Sequence, residues 1–220
     1  MNIEQVRFNM VEQQIRTWDV LDTDVLDLLY TLKRENFVPP MQREFALMDV
    51  ELPLSSIATN ELMWSPKMEA RVAQDVDLHG FEQVLEVGTG SGYLTALLAS
   101  HAAKVTSVEI NPALAQFAIN NLAEAGISNA TVEVGDAARG WTARAPYDVI
   151  VFTGSMEVLP DEVLAQLKPG GKIFAILGIA PVMRAQLITT NTQGGHSQRT
   201  LFETVVAPLT HAALAPGFVF

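Results

Sequence analysis

The spacing of apolar residues changes period twice along the chain, and each change marks an element. Residues 4–16 place Val6, Met10 and Ile15 on or near one side of a helix. A second helix is clearer, with Asp22 as its cap and Val25, Leu28, Leu29 and Leu32 along one face. It should stop before Phe37-Val38-Pro39-Pro40, because each proline disfavours helix in the residue before it. Residues 41–64 show little periodicity and contain Leu52-Pro53 and Ser55-Ser56, which predicts an ordered loop or short strands. A third helix opens at Pro66, with Ser65 at the N-cap and proline at the first helical position. Met68, Val72 and Val76 then recur every fourth residue, carrying that helix to about Asp77.

From Gln83 onward strand and helix alternate. The predicted strands are Gln83 to Val87, Lys104 to Ile110, Ala130 to Val134, Tyr147 to Thr153 and Lys172 to Leu177. Helices fall between them: Leu94 to His101, then one capped by Asn111-Pro112 with Leu114, Phe117, Ala118 and Leu122 inward and Gly126 as its stop, then Asp161 to Leu167 before Lys168-Pro169-Gly170-Gly171. Two strand-like runs, Ala185 to Thr192 and Thr200 to Ala207, are joined by Gln193-Gly194-Gly195-His196 and read as a terminal antiparallel hairpin. The fold class predicted is α/β: a Rossmann-like, mostly parallel sheet with helices on both faces, a C-terminal antiparallel hairpin and an N-terminal helical addition. Residues 1–78 form the helical, substrate-side region and residues 79–220 the ligand-binding core, within one compact unit.

Composition narrows the function classes. With 220 residues and 49% hydrophobic content the chain suits one full-sized core. No apolar run approaches the ~20 residues needed to cross a bilayer, so no membrane partner is expected. The N-terminus shows no basic stretch followed by an apolar one, which argues against a secretory signal. Cysteine is absent, ruling out disulfides, thiolate chemistry and cysteine-based metal sites, and a cytoplasmic location is the simplest reading. The formal charge of −11 and the scattered Lys and Arg residues argue against a nucleic-acid partner. His79, His101, His196 and His211 show no metal-ligand spacing, so no metal is expected, and no Ser-His-Asp arrangement is visible.

The chemistry gathers where strands end. Val84-Leu85-Glu86-Val87-Gly88-Thr89-Gly90-Ser91-Gly92-Tyr93-Leu94 is a buried strand running into a glycine-dense turn and a helix start, an arrangement that brings a nucleotide-like ligand against bare backbone. The next strand ends in Glu109 and Ile110, where a carboxylate suits both hydroxyls of a ribose. The third is followed by Gly135-Asp136-Ala137, where Asp136 suits an adenine amino group or serves as a turn residue. Glu86 either orients the loop or reaches a ligand amino group. Gly88, Gly90 and Gly92 give G-x-G-x-G, one residue tighter than the dinucleotide fingerprint, which sets the NAD reading behind.

These features resemble the first motif of the class I S-adenosyl-L-methionine-dependent methyltransferases. Leu167-Lys168-Pro169-Gly170-Gly171 is similar to the L-x-P-G-G turn before their fifth strand. The resemblance implies that Glu86, Val87, Gly88, Thr89, Gly90, Ser91, Gly92, Glu109, Ile110, Gly135, Asp136 and Ala137 bind S-adenosyl-L-methionine. Upstream, residues 10–16 (MVEQQIR), Val20-Leu21-Asp22 and Arg34-Glu35-Asn36-Phe37-Val38-Pro39 resemble the opening of the protein-L-isoaspartate O-methyltransferases. Similarity continues through Asp49, Leu52-Pro53 and Ala145-Pro146-Tyr147-Asp148, covering most of residues 10–178. That family implies methyl transfer to the carboxylate of isoaspartyl residues in damaged proteins.

One segment departs from the family. Its Thr-Ile-Ser-x-Pro hydroxyls serve the substrate carboxylate, yet here Leu62, Met63 and Trp64 occupy the Thr-Ile-Ser positions and Ser65 the variable one. A one-residue deletion instead makes Ser65 the family serine, and so the candidate catalytic residue, against its simpler role as a helix cap. Met63 and Trp64 are the candidate substrate-binding residues, with core packing the competing role for Trp64. Two alternatives follow: a more apolar small-molecule acceptor, or a protein that binds the cofactor without transferring the methyl group.

Overall fold

The N-terminal apolar spacing produces one helical rod that changes pitch. In the computed structural model, which describes residues 2–55, 60–191 and 195–215, α1 (Ile3–Asn9) runs directly into a π-helical turn over Met10–Ile15 and a 3-10 turn over Arg16–Trp18. The expectation of one regular helix over residues 4–16 is corrected here. Bonds of the i→i+5 type, such as Arg16 N–H to the Val11 carbonyl, bring Met10 and Ile15 into line so that Met10, Val11 and Ile15 are all buried.

Helix α2 (Thr23–Thr31) starts as predicted, with Asp22 Oδ1 accepting from the N–H groups of Asp24 (2.9 Å) and Val25 (3.2 Å). Its inward face is Val25, Leu26 and Leu29; Leu28 is only half-buried, so the buried stripe sits one position round from the predicted one. The low-periodicity stretch forms two short antiparallel strands, β1 (Leu52–Pro53) and β2 (Leu62–Met63), with Leu52 opposite Met63; Ser56 lies outside the described residues. Helix α3 (Pro66–Val76) buries Met68, Val72 and Val76. Ser65 holds the cap backbone conformation and its carbonyl accepts from Met68 and Glu69, but its hydroxyl makes no capping bond. Position, not side chain, starts this helix.

The core then follows in order: β3 (Gln83–Val87), α4 (Tyr93–His101), β4 (Lys104–Glu109), α5 (Pro112–Glu124), β5 (Ala130–Val134), β6 (Tyr147–Met156), α6 (Asp161–Leu164), β7 (Leu167–Ile179), β8 (Val182–Thr190) and β9 (His196–Thr204). The sheet order is β5-β4-β3-β6-β7-β8-β9, parallel from β5 to β7 and antiparallel for β8 and β9. Strand residues alternate between two apolar layers: Val84, Val105, Val151 and Phe174 pack with Met10, Leu29, Val72 and Leu97, whereas Leu85, Ile150, Phe152 and Ile173 pack with Val163 and Ile188.

Several boundaries differ from those predicted. Helix α6 is a single turn, because residues 168–171 do not form a separate turn but bulge within β7, where the register passes from Tyr147–Leu167 to Val149–Lys172. Strand β6 runs past Thr153 because Ser155 bonds to the C-terminal segment, through Ala207 and Leu209. The hairpin strands begin three to four residues earlier than predicted; of their connection, Thr192, Gln193 and Gly194 lie outside the described residues.

A fully buried cation helps fasten the helical region to the core, beside Lys172 of β7, which donates to the Val76 and Asp77 carbonyls. Arg34, with no exposed surface, donates from Nε to Glu69 Oε2 (3.0 Å), from Nη1 to the Ala46 carbonyl (2.6 Å) and from Nη2 to the Trp64 carbonyl. Its guanidinium lies 5.7 Å from the centre of the Tyr93 ring, at the start of α4. Arg34→Leu leaves the buried Glu69 unpaired and two carbonyls without donors, and is expected to cost about 3–5 kcal/mol in urea denaturation.

Candidate functional site

A cleft opens at the carboxyl ends of β3, β4 and β5, where the strand order reverses between β3 and β6. After β3 the backbone turns through Gly88, with φ +93°. A Cβ on Gly88 would lie 2.3 Å from Thr153 Oγ1, which donates to the carbonyls of Val87 (2.8 Å) and Gly88 (2.6 Å). This close approach admits only glycine. Gly92, at φ +83°, faces the other way: its Cβ would meet Ala118 of α5 at 3.2 Å.

Of the residues expected at a ligand, Glu86, Val87, Gly88, Thr89, Gly90, Ser91, Glu109, Ile110, Gly135, Asp136 and Ala137 all line this cleft. Gly92 does not, since it serves helix packing. Met63 and Trp64 line the cleft as well, and Trp64 is at once 7% exposed and part of the wall, so packing and lining coincide. Ser65 is absent from the lining. The chain direction explains this: β2 ends at Met63, and Ser65 has already turned to open α3.

The three strand-end acids are held in three ways. Glu109 Oε2 accepts from Gly90 N–H (2.9 Å) and Oε1 from Asn111 N–H (3.0 Å), which locks the glycine turn to the end of β4. Each oxygen keeps a lone pair for a neighbouring diol. Asp136 Oδ1 accepts from Ala138 N–H (3.0 Å), and Oδ2 lies 2.7 Å from His211 Nδ1. Burial works against the charged form of Asp136, but these two partners pull its carboxyl below the ordinary range.

Glu86 is fully buried. Its Oε2 accepts from Ser107 Oγ (2.6 Å) and Thr95 Oγ1, and Ser107 Oγ in turn lies 2.6 Å from Thr89 Oγ1. Its Oε1 has no partner. Burial pushes this carboxyl up to about 8; the two hydroxyls pull it down, and Glu109 and Glu69 push it further up. An unpartnered oxygen in a cleft wall is suited to a ligand that brings an N–H donor. Together with the glycine turn at Gly88 and the free lone pairs of Glu109, this set of acceptors fits an amino-acid-bearing nucleoside.

Several groups escaped the sequence reading. Glu69, on α3 beside the buried stripe, lines the Trp64 end; burial pushes its carboxyl up to about 7 against the pull of Arg34. Ala207, Pro208, Leu209 and Thr210 also line the cleft, brought there by the pairing of Ser155 with Pro208. No local pattern signals either feature, because each depends on an element distant in sequence. Every titratable side chain lining the cleft is an acid: Glu51, Glu61, Glu69, Glu86, Glu109 and Asp136. Among the described residues no cluster of three or more His, Asp or Glu is arranged to hold a metal, and no helix is long and apolar enough to cross a membrane.

A family model described as protein-L-isoaspartate(D-aspartate) O-methyltransferase matches residues 5–213. Protein-L-isoaspartate O-methyltransferase 2 of Anaeromyxobacter sp. (strain Fw109-5) is 35% identical over 206 residues, covering 94% of this chain and 84% of that protein. The protein-L-isoaspartate O-methyltransferase of Methanoculleus marisnigri is 40% identical over 172 residues, covering 78% and 77%. A solved structure of a protein-L-isoaspartate O-methyltransferase superposes with a TM-score of 0.80 at 22% identity, covering 93% of this chain and 66% of that one. A Plasmodium falciparum structure described under the same activity, in complex with S-adenosyl-L-homocysteine, gives 0.75 at 18% identity, covering 96% and 99%. At these identities the solved structures speak for the fold alone.

The raised Glu86 carboxyl makes a pH prediction. An acid whose folded value lies above its unfolded one binds more protons when folded, so its contribution to stability falls as pH rises from about 4.5 to about 8. Glu86→Gln should show a smaller loss of urea midpoint between about pH 5 and about pH 8 than the unaltered protein.

Proposed function

The chain belongs to the protein-L-isoaspartate O-methyltransferase family, and from that premise we propose that it is an S-adenosyl-L-methionine-dependent methyltransferase acting on the carboxylate of isoaspartyl residues in damaged proteins. One observation carries the cofactor reading: a single cleft joins a bare-backbone glycine turn to three acids with different partners, Glu86, Glu109 and Asp136. Glu109 accepts from the ribose hydroxyls. Ile110, Asp136 and Ala137 would meet the adenine, while the missing Cβ of Gly135 admits the Trp141 ring, which a side chain there would meet at 2.5 Å. The backbone of Val87, Gly88, Thr89, Gly90 and Ser91 would hold the amino-acid part of the ligand, with the unpartnered Oε1 of Glu86 as acceptor for its amino group.

When bound, S-adenosyl-L-methionine supplies a methyl group activated by a positively charged sulfur. The acceptor carboxylate is already ionised at neutral pH, so the protein needs no general base. Its task is alignment: Met63, Trp64 and Glu69 shape the end of the cleft where an acceptor oxygen must come in line with the methyl carbon, and exclude water from it. With the cofactor bound, the C–O bond would form as the methyl carbon–sulfur bond breaks, its electron pair returning to a neutral sulfur. A cytoplasmic place of action suits a chain without cysteine.

A second reading draws on the acceptor end itself. Leu62, Met63 and Trp64 stand in the wall, Ser65 lies outside it, and among the described residues no basic side chain lines the cleft. Such a wall favours an uncharged, apolar small-molecule acceptor.

Calorimetry with S-adenosyl-L-methionine and labelled-methyl transfer to an isoaspartyl peptide and its aspartyl twin decide between the readings. Transfer to the isoaspartyl form alone is the expected result. Tight cofactor binding with transfer to neither peptide would sink the protein-repair reading and leave the apolar acceptor, or a binding protein without transfer. Glu109→Ala should weaken cofactor binding about tenfold or more, as expected for losing charge-assisted hydrogen bonds; unchanged affinity removes Glu109 from the ribose site.

A further inference from the structure

The segment leading into β1 exposes an unusual density of large apolar side chains. Met41 is 87% exposed, Phe45 45%, Met48 48% and Val50 40%, a run denser than elsewhere among the described residues, where Ile179 and Val182 pair at the β7–β8 turn and the rest are more scattered. The segment is tightly wound: a 3-10 helix spans Pro40–Phe45, and Met48 N–H and Val50 N–H donate to the carbonyls of Phe45 and Met48, both at 2.9 Å. Ala46 and Leu47 are buried beneath it. These apolar side chains, with Arg43, Glu44 and Asp49 between them, are thus exposed on a segment that is itself anchored. Exposed apolar surface gathered in this way marks an interaction site more often than singly placed residues do.

Its place beside the cleft is fixed by two cations. Arg34 donates to the carbonyls of both Ala46 and Trp64, so the segment and the acceptor wall are one guanidinium apart. Lys67, at the start of α3, pairs with Asp49 at 2.6 Å. The chain then passes directly into Glu51 and Leu54, which line the cleft, and Leu52 pairs with Met63. The patch continues the acceptor end outward.

We propose that Met41, Phe45, Met48 and Val50 form a docking surface for apolar side chains flanking the isoaspartyl residue in an unfolded segment of the substrate protein. This rests on the isoaspartyl reading of the cleft. An isoaspartyl residue reaches the cleft with chain on either side of it, and an extended flank advances about 3.3 Å per residue, so a few residues cross the patch. Methionine suits the task, since its unbranched, polarizable side chain adapts to varied partners. An anionic membrane or a second copy of this chain fits less well, because the net charge of −11 opposes both.

The test compares two isoaspartyl peptides of equal length and charge, one with leucine and phenylalanine flanks and one with serine and glycine flanks. Transfer is measured as kcat/KM, and binding by fluorescence anisotropy on protein loaded with S-adenosylhomocysteine. The apolar flanks should raise kcat/KM and affinity about tenfold, the order expected from burying one or two such side chains. The triple variant Met41→Ser, Phe45→Ser, Met48→Ser should lose that advantage while keeping cofactor affinity and turnover of the serine-flanked peptide. Equal behaviour of the two peptides, or an advantage that survives in the variant, overturns the proposal. Flank-dependent binding without transfer to either peptide would instead overturn the isoaspartyl reading and keep the surface. Sedimentation showing a dimer that the variant converts to monomer would assign the patch to a second copy and overturn the proposal.

Discussion

The buried guanidinium of Arg34 sets conditions that much of the molecule meets. A cation with no exposed surface costs several kcal/mol unless a carboxylate and good acceptors surround it. Glu69, the carbonyls of Ala46 and Trp64 and the face of Tyr93 supply them, and they come from a loop, the start of α3 and the start of α4. Satisfying one side chain thus fixes the helical region, the acceptor wall and the core relative to one another. Arg7, equally buried, repeats the device farther out through Glu35, at 2.6 Å and 3.2 Å.

The cleft has the opposite electrostatic problem, too many acids close together. Each acid is handled by a different local means. Glu109 is held by two backbone N–H groups, and Asp136 by a backbone N–H and His211, which favour the charged form of Asp136. Glu86 sits deeper, with hydroxyls on one oxygen and nothing on the other, so burial dominates and favours the protonated form. The result is a graded cleft. Glu109 and Asp136 are held at the strand ends, and Glu86 keeps one buried oxygen without a partner.

Much of the core was legible because its signals are local. The alternation that places Val84 and Leu85 in different layers, the caps at Asp22 and Asn111, and the glycine turn after β3 are each set by a few neighbouring residues. The misreadings arose where a tertiary contact overrode local preference. The π turn at Met10–Ile15 exists to bury three side chains at once, β6 lengthens because Ser155 finds the C-terminal segment, and residues 168–171 bulge because β7 continues through them.

The sequence by itself determined the α/β class, the position of the glycine turn, and the strand ends that carry Glu86, Glu109 and Asp136, because period and turn chemistry act over short stretches. It also marked the Thr-Ile-Ser positions, now Leu62, Met63 and Trp64, as the departure from the family pattern. Only the tertiary structure decided which side chains face the cleft there. Ser65 turns away into α3, Glu69 turns in, and residues 207–210 return from the far edge of the sheet to close the wall. The reason is physical: facing depends on packing partners tens of residues away in the chain, and no local pattern encodes them.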